Sequence, residues 1–433
     1  MYVGKVTLTN IRGFEHLEFD LARPDGRYAG WTVFTGDNGS GKSALLKAIA
    51  LGLAGRDTAR SLQPSLHRWI RLGAEPHEGF IQVEIVRQAT DDLFAESGRT
   101  ADSSFPAKLK LRNGGRDVTL EPVVPEGRPD KYRAPERSIW STEARGWFAC
   151  GYGPFRRVFG ASPEAARLMA VPTTARFVTM FEEAASLAEV DQWMRNLKHK
   201  ELEKRTDETE QLSILLEILN DELMPNQIVV DRVDSDGLWL RDRNGVQLSW
   251  HEMSDGYRSA LALLGDILRH LIDAFGTEGL TERGVDGKLR IVRSGVVLID
   301  EVDAHLHPEW QREIGFWLTR HFPNIQFLVT THSPLICQAA DENGLFVLPE
   351  PGGQDRPRPL TTEEYERVIA SRPDTILLSP AFGLEATRSP RAVEALRMSA
   401  RLRSKQRSGA RLTTEEELTL EQLELFTRSD EEP

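Results

Sequence analysis

The apolar run Trp31-Thr32-Val33-Phe34 leads straight into Gly36-Asp37-Asn38-Gly39-Ser40-Gly41-Lys42-Ser43. After it, Ala44, Leu45, Ala48, Ile49, Leu51 and Leu53 recur at helical spacing. No other feature constrains the chain as much as this order of strand, glycine loop and helix. The eight residues fit G-x-x-x-x-G-K-[ST] at every position, the pattern of a loop whose backbone N–H groups wrap a pyrophosphate. The helix that follows aims its positive end at the anion. Asn38, Gly39 and Gly41 are expected to form the cradle, Lys42 to reach the outer phosphates, and the Ser43 hydroxyl to ligate Mg²⁺.

A second apolar run, Val296-Val297-Leu298-Ile299, ends in Asp300-Glu301. A buried strand that delivers two carboxylates to the open end of a sheet suits nucleotide hydrolysis. Asp300 is expected to hold Mg²⁺ through water, and Glu301 to polarise the attacking water. A third run, Ile325–Val329, ends in Thr330-Thr331-His332-Ser333-Pro334. A histidine at the end of a parallel strand beside the phosphate strand is placed to sense a γ-phosphate, so His332 joins the candidates. Both runs are strongly apolar, as strands covered on two faces are.

Around these motifs the pattern changes. Val3, Val6, Leu8, Ile11, Phe14, Leu17 and Phe19 alternate as strands do, and 78–124 reads as a strand-rich insertion with a turn at Gly114-Gly115. Helical spacing dominates 163–224, including Leu202 to Leu223. A three-strand meander is expected over 228–248, with turns at Asp236-Gly237 and Asn244-Gly245.

Composition narrows the class. With 40% hydrophobic residues, 9 Trp and 18 Phe, the 433-residue chain can bury a full core. Its 54 Lys+Arg against 66 Asp+Glu give −12, which excludes a uniformly basic nucleic-acid coat but not a local basic groove. Two cysteines, Cys150 and Cys337, cannot build a disulfide framework. With no signal-peptide core and no long apolar stretch, a cytoplasmic protein without a membrane partner is expected.

Glycine loop, acidic strand and strand-end histidine in this order resemble the ABC-type ATPases, in the branch shared by SMC and RecF proteins. That family carries Ser-x-Gly at the start of a helix just before the acidic strand. Here Met253-Ser254-Asp255-Gly256-Tyr257-Arg258-Ser259 precedes Leu261, Leu263, Leu264, Ile267 and Leu268. In the family these donors act across a dimer, so the resemblance implies that Ser254 and Gly256 meet the γ-phosphate of ATP held by another copy. It also implies a homodimer or higher even oligomer.

The usual LSGGQ reads MSDGY here, and the loop after the acids reads Asp303-Ala304-His305-Leu306-His307-Pro308. These forms resemble the stand-alone ATPases of bacterial anti-phage systems of the Septu, retron and PARIS types. The stretch Gly151-Tyr152-Gly153-Pro154-Phe155-Arg156-Arg157 is similar to that group as well. It reads either as a replacement for the glutamine loop, with Arg156 near the nucleotide, or as a structural Gly-Pro turn. Asn10, Arg12 and Gly13 resemble the NFRGF strand of the RecF branch, where the arginine approaches the nucleotide, a role carried over to Arg12.

The resemblance covers about 1–55 and 145–345. It implies an α/β fold: an ABC-type P-loop ATPase head with a mixed or parallel sheet, a strand-rich N-terminal insertion and a compact helical lid. Its expected parts are an N-terminal lobe (1–160), a helical insertion (161–226), a C-terminal lobe (227–348) and a helical extension (349–433). The interval from Lys42 to Ser254 is longer than a transporter ATPase needs and too short for the arms of cohesin-like SMC proteins.

After His332 no D-x-D pair or nuclease finger occurs, so any cutting is expected from another chain. The implied function is a slow, regulatory ATPase with ATP and Mg²⁺ as cofactors, governing a separate effector, a nuclease, in anti-phage defence. The alternatives are a RecF-like DNA repair ATPase and, against the spacing, a transporter subunit. Arg388 to Arg411 hold eight basic residues against Glu394, followed by Glu415-Glu416-Glu417 and an acidic end at 430–432. This segment reads as a solvated helix or as a dock for DNA, RNA or an acidic partner face. Thr414 and Glu417 are expected to cap a last helix that packs through Leu418, Leu420, Leu423 and Leu425.

Overall fold

The computed structural model describes residues 1–94, 103–115, 117–125, 127, 133–142, 144–224, 227–349, 356–409 and 411–424. Leu425, the acidic end 430–432 and residues 350–355 lie outside them. The chain divides into two compact units, Met1–Ala370 and Ser371–Pro433. The sequence boundary at 348/349 thus falls inside the first unit.

Sixteen strands are present among the described residues: β1 (Tyr2–Ile11), β2 (Phe14–Asp20), β3 (Gly30–Gly36), β4 (Glu78–Val86), β5 (Ser104–Asn113), β6 (Val118–Pro122), β7 (Ala149–Tyr152), β8 (Val229–Asp234), β9 (Gly237–Arg241), β10 (Gln247–Ser249), β11 (Thr281–Arg283), β12 (Leu289–Ile291), β13 (Gly295–Ile299), β14 (Ile325–Thr330), β15 (Leu345–Leu348) and β16 (Arg358–Pro359).

Two sheets carry the first unit. One is antiparallel, in the order β2-β1-β4-β5-β6. Along β4 the residues alternate between buried and half-buried, so one face of this sheet is core and the other meets water. The other sheet runs β16-β15-β3-β14-β13-β7, parallel from β15 to β7, with only β16 reversed. Every residue of β13 and β14 is buried, including the polar Gln326 and Thr330 of β14, as strands covered on both faces are.

The helix Lys42–Leu62 lies between the sheets and packs Leu45, Ile49 and Leu53 into one continuous core with Val83, Leu109, Leu298 and Leu328. At about 25 cal/mol per Å², large buried side chains of this kind contribute roughly 1.5–3 kcal/mol each. A buried amide also joins the layers. Gln326 on β14 accepts from Val3 N–H at 2.8 Å and donates to Val3 C=O at 2.9 Å.

The meander β8–β10 forms as its turns predict, in the order β10-β9-β8. Within the helical insertion, Glu189–Leu202 and Thr206–Leu219 pack as a pair, and the second takes up most of Leu202–Leu223. Lys204 takes φ 62° between them, a left-handed conformation that ends a helix.

In the second unit, the helices Pro390–Arg407 and Thr414–Glu424 pack together, and Lys405 pairs with Glu416 at 2.6 Å. The capping box sits one residue earlier than the sequence suggests. Thr413 N–H donates to Glu416, and Glu416 N–H donates to the Thr413 hydroxyl. Leu418 is 58% exposed rather than packed. No helix among the described residues is long and apolar enough to cross a membrane.

Candidate nucleotide site

Because β3, β14, β13 and β7 are parallel neighbours, their C-terminal ends meet at one edge. That edge collects the glycine loop, Thr330–His332, Asp300-Glu301 and the segment after Tyr152. It is where open α/β sheets bind ligands. The histidine strand lies between the phosphate strand and the acidic strand, in register with both.

The loop is held open by backbone geometry. Gly41 adopts φ 97°, and a Cβ there would lie 2.5 Å from the Phe14 ring. Glycine is therefore required both for the conformation and for the close approach. Among the described residues, the N–H groups of Asn38, Gly39 and Gly41 make no protein hydrogen bond. The Lys42 ammonium donates to the carbonyls of Gly36 (2.7 Å) and Asp37 (2.9 Å) and is itself buried. Burial lowers its pKa, while Asp300, Glu301, Asp37 and Asp303 act in the opposite direction. The acids thus lie near enough to act on the ammonium, which hydrogen-bonds carbonyls rather than any carboxylate.

Asp300 is buried, and its Oδ1 accepts from the Thr330 hydroxyl at 2.6 Å. The same hydroxyl accepts from Glu301 N–H at 2.7 Å, so Thr330 orients both acids. Asp300 Oδ2 has no hydrogen-bond partner among the described residues. With the half-buried Ser43, it supplies one carboxylate and one hydroxyl. This donor set fits Mg²⁺, which keeps waters and substrate oxygens in its shell. No group of three His, Cys, Asp or Glu that could hold a metal occurs among the described residues.

Glu301 is half-buried at φ 47°, with its carboxylate outside any described hydrogen bond. Asp303 accepts from the Thr331 hydroxyl (2.5 Å) and His332 N–H (3.3 Å), fixing the strand end while the His332 side chain stays exposed. Gln311 pins the following loop by donating to Leu306 C=O at 2.9 Å.

Ser254 is the exposed N-cap of the helix Asp255–Phe275, and its side chain makes no capping bond. Gly256 packs on the loop after the acids, where an added Cβ would lie 2.3 Å from His305 C=O. The signature helix is thus joined to the acidic turn, and no described hydrogen bond links Ser254 to the glycine cradle. Arg12, at φ 52°, stacks over Trp69 at 4.8 Å in the hairpin whose Phe14 seals Gly41. Asn10 donates to Glu78 C=O at 3.3 Å, and a Cβ on Gly13 would meet nothing within 4 Å.

Of the two readings of Gly151–Arg157, the backbone role is the one seen for Arg156. Its guanidinium is spent on the carbonyls of Gly153, Asp300, Glu301 and Ala304. Sequence reasoning missed Thr330, Asp303 and Gln311 as site residues. D-E-x-D and the Thr-Thr pair were the available signals, but only the strand order joins them.

Behind the acidic strand lies a polar cluster. The Tyr152 hydroxyl donates to Asp266 Oδ2 at 2.9 Å, Arg269 pairs with Oδ1 at 2.8 Å, and His270 Nε2 lies 3.4 Å from Oδ2. Burial alone would raise the Asp266 carboxyl. His270, then Arg269 and Tyr152, overcome this and hold it at about 2.

Residues 31–338 match the family model described as "AAA domain, putative AbiEii toxin, Type IV TA system". The Septu protein PtuA of Bacillus mycoides (strain KBAB4) is 25% identical over 391 residues, covering 89% of this chain and 45% of that protein. The Retron Ec83 probable ATPase of Escherichia coli is 41% identical over 107 residues, 25% of this chain and 18% of that one. The chain thus spans less than half the length of these relatives. A solved SMC head bound to the C-winged helix domain of ScpA is 14% identical with a TM-score of 0.47, covering 84% of this chain and 99% of that one. With the model spanning both ends of the site, from the strand before the glycine loop to the helix after His332, the chain belongs to this AAA-domain family.

Proposed function

We propose that the chain is an ATPase that holds Mg·ATP at the sheet edge and hydrolyses it slowly. The observation that carries this reading is the convergence of Lys42, Asp300 and Glu301 on the ends of adjacent parallel strands, with the acids near enough to act on the ammonium. The loop N–H groups and Lys42 bind the phosphates, and Ser43 and Asp300 hold Mg²⁺. When bound, Mg²⁺ neutralises charge on the β- and γ-phosphate oxygens. Glu301 accepts a proton as water attacks the γ-phosphorus. The bond to the bridging oxygen breaks, giving ADP and phosphate. His332 contacts the γ-phosphate.

Two copies dimerise head to tail, each offering Ser254 and Gly256 to the other's ATP. The open N-cap at Ser254 supports this arrangement. The similarity to Septu and retron proteins supports a role in anti-phage defence, in which ATP-driven closing and opening gates a separate effector of nuclease class. The exposed basic face of Pro390–Arg407 supports docking of nucleic acid or of that effector's acidic surface.

The test is the ATPase rate of wild type and Glu301→Gln. A loss of about 100-fold or more with unchanged ATP affinity is expected. A mutant that hydrolyses normally removes the assignment.

A further inference from the structure

Arg156 has a place in the reaction that neither its sequence motif nor the general nucleotide chemistry of the site assigns. It is 4% exposed and forms no ion pair among the described residues. Its two terminal nitrogens donate to main-chain oxygens: Nη1 to Gly153 (3.3 Å) and Asp300 (2.9 Å), Nη2 to Glu301 (2.9 Å) and Ala304 (3.0 Å). Three of these four carbonyls belong to one turn, the turn that carries the acids.

That turn is uphill in conformation. Glu301 has φ 47° and His305 φ 67°, both in the left-handed region that residues with a Cβ avoid. Such a conformation persists only where its surroundings over-determine it. A planar guanidinium fork reaches several acceptors from one rigid group, which the single ammonium of lysine cannot reproduce. Without the fork the turn loses three of the bonds that hold this backbone, while the Thr330 bond to Glu301 N–H remains.

The fork is tied to the signature helix as well. The Arg156 carbonyl accepts from the Ser259 hydroxyl at 3.4 Å. One turn earlier, Gly256 rests on His305 C=O, at the far end of the same acidic turn. The first two turns of that helix therefore touch both the fastening and the loop it fastens.

We propose that Arg156 is a positioning residue for hydrolysis: it fixes the Glu301 carboxylate by clamping the 300–304 turn, and the helix opening at Ser254 bears on that clamp through Gly256 and Ser259. The inference rests on the reading of Glu301 as the base. It differs from a phosphate-binding role because both terminal nitrogens are already engaged by backbone.

The experiment measures kcat, KM and equilibrium affinity for a fluorescent ATP analogue on full-length wild type, Arg156→Met, Arg156→Lys, Glu301→Gln and the Arg156→Met/Glu301→Gln double variant. Thermal melts verify folding. Arg156→Met should lower kcat about 30- to 100-fold with KM and affinity within about threefold, and Arg156→Lys should recover part of the loss. In the Glu301→Gln background, Arg156→Met should cost less than about threefold more, because residues that act as one unit are non-additive.

Normal turnover by Arg156→Met beside an inactive Glu301→Gln removes the positioning role alone. So does an equal further loss in the Glu301→Gln background, or a parallel fall in ATP affinity. Normal turnover by Glu301→Gln removes the base, and this role with it. If Arg156→Met does not fold, Arg156→Lys decides by the same split between kcat and affinity.

Discussion

Two helices of this protein begin with residues suited to an anion, and they are prepared for it in opposite ways. At Lys42–Leu62 the preparation is internal. The lysine is buried against the carbonyls of Gly36 and Asp37, and Phe14 closes on Gly41 from the first hairpin. At Asp255–Phe275 the cap Ser254 stands exposed without a capping bond, and Arg258 engages Asp255, so that acid does not repel an approaching anion. The cradle is closed by contacts within one chain, whereas the Ser254 side chain at the tip is left exposed and uncapped. The contrast teaches that a helix start is a binding site only when the rest of the fold says which ligand comes, and from which side.

The largest effect should fall on the internal helix. Lys42→Ala should weaken ATP binding at least about 100-fold in a fluorescence titration, because a buried ammonium aimed at phosphate is lost. Binding within tenfold of wild type would break the comparison at its first term. At the external helix, Ser254→Arg should leave the affinity of the isolated chain within about threefold. It should abolish ATP-dependent dimerisation in light scattering and cut turnover about 20-fold. If the variant still dimerises, the tip does not face a partner.

A smaller change tests the floor beneath the tip. Gly256→Ala drives a Cβ into His305 C=O, and turnover should fall about fivefold to tenfold while Lys42-dependent binding persists. The smallest effect is on stability. The folded Asp266 carboxyl sits at about 2 against an ordinary value of 3.8, so its contribution is full above pH 4 and lost as the pH falls through 2. The difference amounts to about 2 kcal/mol. Chemical denaturation of wild type across pH 2–5 should show this slope, and Asp266→Asn should flatten it.

What could be read in advance follows from how far apart the interacting residues lie. The glycine loop, the acid pair and the two doubly buried strands are local patterns, and they form where their residues predict. The meander is equally local, with its turns marked by Asp-Gly and Asn-Gly.

The parts that stayed hidden are built from distant main chain. β7 is four residues long and gains its identity only by pairing with β13. Arg156 acts through carbonyls more than 140 positions away, and a carbonyl has no letter in the sequence. The one-residue shift of the last cap reflects competition between the neighbouring Thr413 and Thr414.

The amide bridge between Gln326 and Val3 has a mechanical consequence. One carboxamide fixes the relative register of the two layers, since sliding either by one residue forfeits both of its bonds. The antiparallel layer is therefore ballast for the strand that ends in Thr330. The flank where β7, Arg156 and the signature helix meet has no share in this amide bridge.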